Sequence, residues 1–231
     1  MIISIAVVAL VTAAVFIVRN YRPAGMRALR LFAWLKAPDA HSNLVIAAGS
    51  HCGNAPFVFP TTGVVGFLWG DSFRLGHRHQ GIDIFGGTTV DVTPVIAAYP
   101  GFLTRPPDWK STVIVRVPSD PLQPGRQIWV YYTHMADPNG NSFISSEFPP
   151  GTYEKSIQAG TLLGRQGDYS GDPNNPVGVH LHVSIVRDNG GRFMNELEIS
   201  NTYDPSPYFG LPLNAQQNRD AIPVCTEAGG S

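Results

Sequence analysis

Five of the chain's seven histidines fall in three short motifs, His77-Arg78-His79-Gln80-Gly81-Ile82-Asp83, Tyr132-Thr133-His134 and His180-Leu181-His182. Zinc favours imidazole nitrogen and carboxylate oxygen, and a catalytic zinc takes three protein ligands while keeping a fourth position open. Two of these histidines together with Asp83 meet that count. The imidazoles left over titrate near neutral pH and can take and return a proton beside the metal. The pattern predicts a mononuclear zinc site with spare histidines, suited to activating water against a carbonyl.

Such side chains converge only if rigid elements hold them. His180 and His182 stand two apart in Val177-Gly178-Val179-His180-Leu181-His182-Val183-Ser184-Ile185-Val186, a β-branched run that reads as a strand. Side chains at i and i+2 of a strand share a face, so both histidines are predicted to enter one pocket while Val179, Leu181 and Val183 enter the core. The pair can hold a metal together or divide the work, one binding and one facing substrate. If residues 79–83 are extended, His79, Gly81 and Asp83 share a face as well. Gly81 is then expected to leave room for a metal or a substrate backbone between the two ligands.

His-x-Gly-x-Asp followed far downstream by His-x-His resembles the lysostaphin-like (LytM-type) zinc endopeptidases, which cut peptide cross-bridges in bacterial peptidoglycan. The resemblance runs from about Gly66 to Leu211. It takes in the first histidine motif, Thr93-Pro94-Val95-Ile96-Ala97-Ala98, Tyr131-Tyr132-Thr133-His134-Met135, the Ile157-Gln158-Ala159-Gly160 and Leu163-Gly164 turns, His180-Leu181-His182 and Asp204-Pro205-Ser206-Pro207-Tyr208. It implies that His79, Asp83 and His182 bind one zinc ion per chain and that His134 and His180 are unliganded catalytic histidines. Under it His180 is the preferred base and His134 the oxyanion or orienting group, a division the sequence leaves open.

A lone histidine is usually a structural or surface residue, so the reading stands on five residues in one order. His77 occupies a position where the family often has arginine, and it is expected to face solvent or sit behind the ligands. Arg78 is expected to be peripheral, and His41 and His51 to lie on the surface. Tyr132 could touch substrate, yet an aromatic within Ile128-Trp129-Val130-Tyr131-Tyr132 is expected to pack.

Glycine and proline, 24 and 20 of 231 residues, punctuate short β-branched runs. That alternation predicts a single, mainly β catalytic domain over residues 59–213, an antiparallel sheet or sandwich-like architecture with long loops forming a groove. Strands are expected at 63–67, 81–85, 95–99, 101–104, 111–117, 127–134, 161–166 and 179–186, with little helix after about residue 40. Of the long loops 118–125, 137–152 and 167–178, two flank His134 and His180 and are candidate cleft walls. Residues 214–231 read as a tail.

Met1 to Val18 is almost wholly apolar and uncharged. Eighteen such residues can just span a bilayer, and there is neither a basic leader nor a small-residue cleavage site, so residues 1–20 are expected to form an uncleaved N-terminal transmembrane anchor rather than a signal sequence. Residues 21–58 read as a basic juxtamembrane segment and linker. Its Arg22, Arg27, Arg30 and Lys36, with Arg19, would by the positive-inside rule stay cytoplasmic, in conflict with a wall-cutting domain that must work outside. Met26 to Lys36 can be an interfacial helix. An inhibitory role for residues 23–60 would require His41, Asn43, His51 or Asn54 at the open zinc position.

Cys52 and Cys225 bracket the catalytic region and are either a disulfide or two free thiols; a bridge would fit export. A net charge of −1 gives no electrostatic case for nucleic acid. Gly86-Gly87-Thr88-Thr89 lacks the lysine of a phosphate loop and reads as a turn. The expectation is a membrane-anchored zinc metalloendopeptidase whose domain faces the periplasm or cell wall and whose substrate is a peptidoglycan peptide. The alternative is a non-catalytic regulator of the same fold that activates other wall hydrolases; such chains typically lose metal ligands. Zinc-dependent cleavage of a protein substrate is a third reading.

Overall fold

The computed structural model describes residues 24–225. Ten strands follow one another as β1 (Val64–Phe67), β2 (Ile82–Phe85), β3 (Pro94–Ile96), β4 (Gly101–Thr104), β5 (Val113–Val117), β6 (Ile128–Thr133), β7 (Lys155–Ile157), β8 (Leu162–Arg165), β9 (Leu181–Arg187) and β10 (Thr202–Tyr203). Eight form one sheet in the order β1-β2-β9-β6-β5-β4-β7, with β10 also paired to β9, while β3 and β8 make a second, two-stranded sheet. Every pairing is antiparallel.

Strand alternation gives the large sheet two unlike faces. One presents Ile82 and Ile84, Val113, Val115 and Val117, Ile128, Val130 and Tyr132, and Leu181, Val183 and Ile185, which pack with Val95 of β3 and Leu163 of β8 into one core. Each fully buried aliphatic side chain there contributes about 1.5–3 kcal/mol over the exposed state. The opposite face packs Ile114, Trp129 and Val186 beneath Trp109, Tyr131, Phe193 and Met194. The same parity puts Asp83, Thr133 and His182 on that second face.

All eight anticipated strands are present, with ends moved by up to three residues. β6 stops at Thr133 because His134 turns into the left-handed region at φ +75°. β7 and β10, only three and two residues long, were not anticipated. A short helix α2 (Ser206–Phe209) closes the C-terminal side.

The described part of residues 21–58 differs from a free linker. Helix α1 (Gly25–Lys36) lies on the sheet edge, with Leu31 and Trp34 buried against Val64, Phe85 and Ile222. Its approach requires Gly66, at the register shift between β1 and β2, since a Cβ there would come within 2.5 Å of Leu31 Cδ2. The basic residue Arg27 is fully buried rather than displayed to a membrane, while Met26, Leu29 and Phe32 face outward. A 3-10 segment, Pro38–Leu44, leads into the domain. Among the described residues no helix is long and apolar enough to cross a membrane; the anchor expected at residues 1–20 lies outside them. Cys52 and Cys225 form a disulfide, joining two segments 173 residues apart.

Candidate metal centre and cleft

Register builds the centre. β2 and β9 set Asp83 opposite His182, and β9 and β6 set His182 opposite Thr133. His79 comes from the segment before β2 and folds back, so that its Nε2 lies 3.1 Å from Asp83 Oδ1 and 2.9 Å from His182 Nδ1. His182 Nδ1 is 2.8 Å from the same Asp83 oxygen. These three buried residues are thus a compact donor triangle. Gly81 works differently from expectation: a Cβ would strike Val183 O at 2.1 Å and Ser184 Oγ at 2.5 Å, so the glycine permits the approach of β9 rather than leaving space for a metal.

The outer nitrogens fix the tautomers. His79 Nδ1–H donates to Leu68 O at 3.0 Å, which turns the Nε2 lone pair inward. His182 Nε2 lies 2.9 Å from Glu196 Oε1 and 2.8 Å from Ser184 Oγ, and the Ser184 hydroxyl itself donates to Glu196 at 2.5 Å. His182 therefore donates outward through Nε2, and its Nδ1 faces Asp83, donating to the carboxylate while the ring is protonated. Once that proton leaves, two imidazole lone pairs and a carboxylate lie within 3.1 Å of one another and call for a cation among them. Tetrahedral zinc with bonds of about 2.0–2.2 Å spaces its ligands by about 3.3–3.6 Å, so the triangle needs to open by only about half an ångström. A ligand histidine tied outward to a carboxylate or backbone carbonyl is the usual arrangement around such an ion. The donor set fits zinc.

Charge tells the same story. Burial opposes a proton on His182, but the Glu196 and Asp83 carboxylates overcome it and push the pKa up to about 10. Burial raises Asp83, yet His79, His180 and the hydrogen bonds from His182 and His79 hold it well below the usual carboxylate range. Glu196 is likewise lowered, its burial outweighed by His182 and the hydrogen bonds from His182 and Ser184. The pocket is built for positive charge at the triangle.

His134 and His180 occupy the open side. His180 stands just before β9, bridged to Gly167, and its Nδ1–H donates to Gly178 O at 2.9 Å. Its Nε2 lies 3.6 Å from Asp83 Oδ1. His134 Nδ1–H donates to Tyr169 O at 2.6 Å. The two rings are 4.5 Å apart, and His134 is 6.2 Å from His182, centroid to centroid. Phe85 stacks on His180 at 5.1 Å. Burial, reinforced by the neighbouring His180 and His182, lowers His134 to about 3; burial also lowers His180. Both are neutral at pH 7, with Nε2 free to accept a proton.

These residues lie in a cleft of about 720 Å³. Phe67, Phe73 and Leu197 form one part of its lining, Tyr169, Ser170, Asn175, Pro176 and Val177 another, and Ser111, Thr112, Tyr131 and Thr133 a polar stretch. Loop 167–178 is thus a wall as expected, whereas loop 137–152 supplies no lining residue. Tyr132 is wholly buried, its hydroxyl oxygen accepting the Ala98 N–H at 2.9 Å, and it is Tyr131 that faces the cleft. His77 is half-buried beside Phe73. His41, Asn43, His51 and Asn54 do not line the cleft. Glu196, Tyr131 and Phe73 were missed in the sequence; strand parity alone could have found Tyr131, two residues before Thr133 on the His182-facing side of β6.

No family model matches the chain, and no curated protein matches it. Among solved structures it is similar to the catalytic domain of the antimicrobial peptidase lysostaphin from Staphylococcus simulans, at 18% identity over 64% of this chain and 92% of that one, with a TM-score of 0.43. A catalytic-domain mutant of the prophage-encoded M23 protein EnpA from Enterococcus faecalis matches at 21% identity over 64% and 95%, TM-score 0.39. Helicobacter pylori Csd3 matches at 17% identity over 73% of this chain and 35% of that one, TM-score 0.39. Superpositions this loose leave the chemistry to the side chains themselves.

Proposed function

We propose that this chain is a zinc-dependent endopeptidase that hydrolyses peptide bonds in peptidoglycan stem peptides or cross-bridges. The observation that carries the reading is the division of four clustered histidines into two, His79 and His182, whose inner nitrogens lie within 3.1 Å of Asp83 Oδ1, and two, His134 and His180, whose Nδ1–H groups are tied to backbone carbonyls and whose Nε2 atoms lie on the cleft side. His79, Asp83 and His182 would hold the zinc. Zinc supplies Lewis acidity, acidifying water and polarising a carbonyl. His180 Nε2 is the nearer acceptor for the proton of the attacking water and returns it to the departing amide nitrogen. His134, neutral and with its Nδ1–H held by Tyr169 O, presents an accepting Nε2 that orients the attacking water from the open side of the cleft.

The peptidoglycan substrate rests on the ordered motifs of the sequence. The disulfide supports an oxidising, extracytoplasmic compartment, and the apolar residues 1–18 support a membrane tether. Incubating the full chain with purified peptidoglycan and following new free amines tests the activity. The wild type is expected to release them in a chelator-sensitive way. Zinc uptake with no cleavage of any wall preparation would turn the reading toward a regulator of other hydrolases.

A further inference from the structure

We propose that Arg27 is a positioning residue for the zinc ligand His79, acting from α1 through the turn 68–71; the inference rests on the metal-centre reading above. Arg27 is fully buried, and its guanidinium joins three distant parts of the chain. Nε donates to Gly66 O at 3.0 Å, and Nη1 donates to Asn218 O at 2.9 Å and Arg219 O at 2.8 Å. Nη2 is ion-paired with Asp71 Oδ2. That same carboxylate oxygen accepts the Leu68 N–H at 2.7 Å, which closes the turn on itself.

The turn grips His79 from three directions. Leu68 O accepts the ring Nδ1–H at 3.0 Å. Asp71 O accepts the His79 N–H at 2.7 Å, and Gly70 N–H donates to His79 O at 2.8 Å. The carbonyl that sets the tautomer of the ligand thus belongs to the turn whose carboxylate Arg27 neutralises. An arginine suits this place because its planar fork serves several acceptors at once, which a lysine ammonium on a flexible stem does not. Losing it would leave the Asp71 carboxylate buried without its partner, and the turn would relax toward any polar group or water it could reach. His79 would lose its fixed orientation. A chain trimmed to begin after α1 would carry the same defect with every catalytic residue intact.

The test uses the full chain, stripped of metal, with zinc affinity read by chelator competition and ligand geometry by the visible spectrum of the cobalt(II) form. Arg27→Met and Asp71→Asn are expected to bind zinc at least about 10-fold more weakly than wild type, within the range for groups that orient metal ligands, and to shift the cobalt spectrum. Arg27→Lys should fall between, and Arg30→Met, on the exposed side of α1, should match wild type. A folded Arg27→Met or Asp71→Asn chain with wild-type zinc affinity and cobalt spectrum would overturn the proposal, because a role in stability alone leaves both unchanged. Should Arg27→Met fail to fold, Asp71→Asn and Arg27→Lys decide, and wild-type affinity in both overturns it. A wild-type chain that takes up no zinc overturns the metal-centre reading and this proposal with it, an outcome visible before any variant is compared.

Discussion

His182 and His134 share a residue type and a cleft, and differ in what stands behind the ring. His182 is backed by the Glu196 carboxylate, and its pKa is pushed up to about 10; His134 is backed by the Tyr169 carbonyl, and burial with neighbouring imidazoles lowers it to about 3. A carboxylate behind an imidazole favours positive charge in front of it. A carbonyl fixes the tautomer without supplying a full charge, so desolvation wins and the ring stays neutral. The group behind the ring thus sets His182 apart from His134 and His180; His79, backed by the Leu68 carbonyl, is set apart instead by its Nε2 lying 3.1 Å from Asp83.

The comparison breaks most plainly at the ligand. His182→Ala is expected to lose both bound zinc and hydrolysis, seen as background metal content and no released amines. His180→Ala should keep its zinc and lose about 10²–10⁴-fold in rate, the usual contribution of a positioned proton-transfer group; loss of zinc in that variant would place His180 among the ligands. Exchanging the backing group is subtler: Glu196→Gln removes the charge but keeps an acceptor, and zinc should bind about 10–100-fold more weakly. Chelator competition reads that change directly.

Much of this arrangement was legible. Residue type and strand alternation put His180 and His182 on one face and marked a two-histidine, one-carboxylate site, while the particular set His79, Asp83 and His182 came from the family resemblance. Glu196 was not legible, since it reaches His182 from a loop with no fixed spacing to β9. Gly81 was misread because a sequence does not show which backbone lies across from a glycine; here it is Val183. Arg27 was misread for a related reason: charges after an apolar run suggest a membrane surface, while its acceptors at 66, 71, 218 and 219 are far away in sequence. Tyr131 and Tyr132 differ by one step of strand parity, and only the parity of Thr133 distinguishes cleft from core.

The smallest predicted effect is on acid stability of the metal-free chain. His134 has its folded pKa depressed from 6.5 to about 3, so between those values the unfolded chain binds a proton that the folded chain refuses, and stability falls as pH falls. His180 acts in the same sense. His182 is raised, so its contribution is complete below 6.5 and is lost only as pH rises through about 10. Each depressed histidine removes up to about 1.4 kcal/mol per pH unit. Urea titrations at pH 7 and pH 5 should show the decline, and His134→Gln should reduce it; an unchanged slope in that variant would mean His134 is protonated in the folded chain.

The central claim, that the chain divides its four clustered histidines between metal and proton, is tested most directly by anomalous scattering at the zinc edge from crystals of the zinc-loaded protein. The account predicts one peak among His79 Nε2, Asp83 Oδ1 and His182 Nδ1, with His134 and His180 off the ion. A peak bonded to His134 or His180, or none at the triangle, would contradict it.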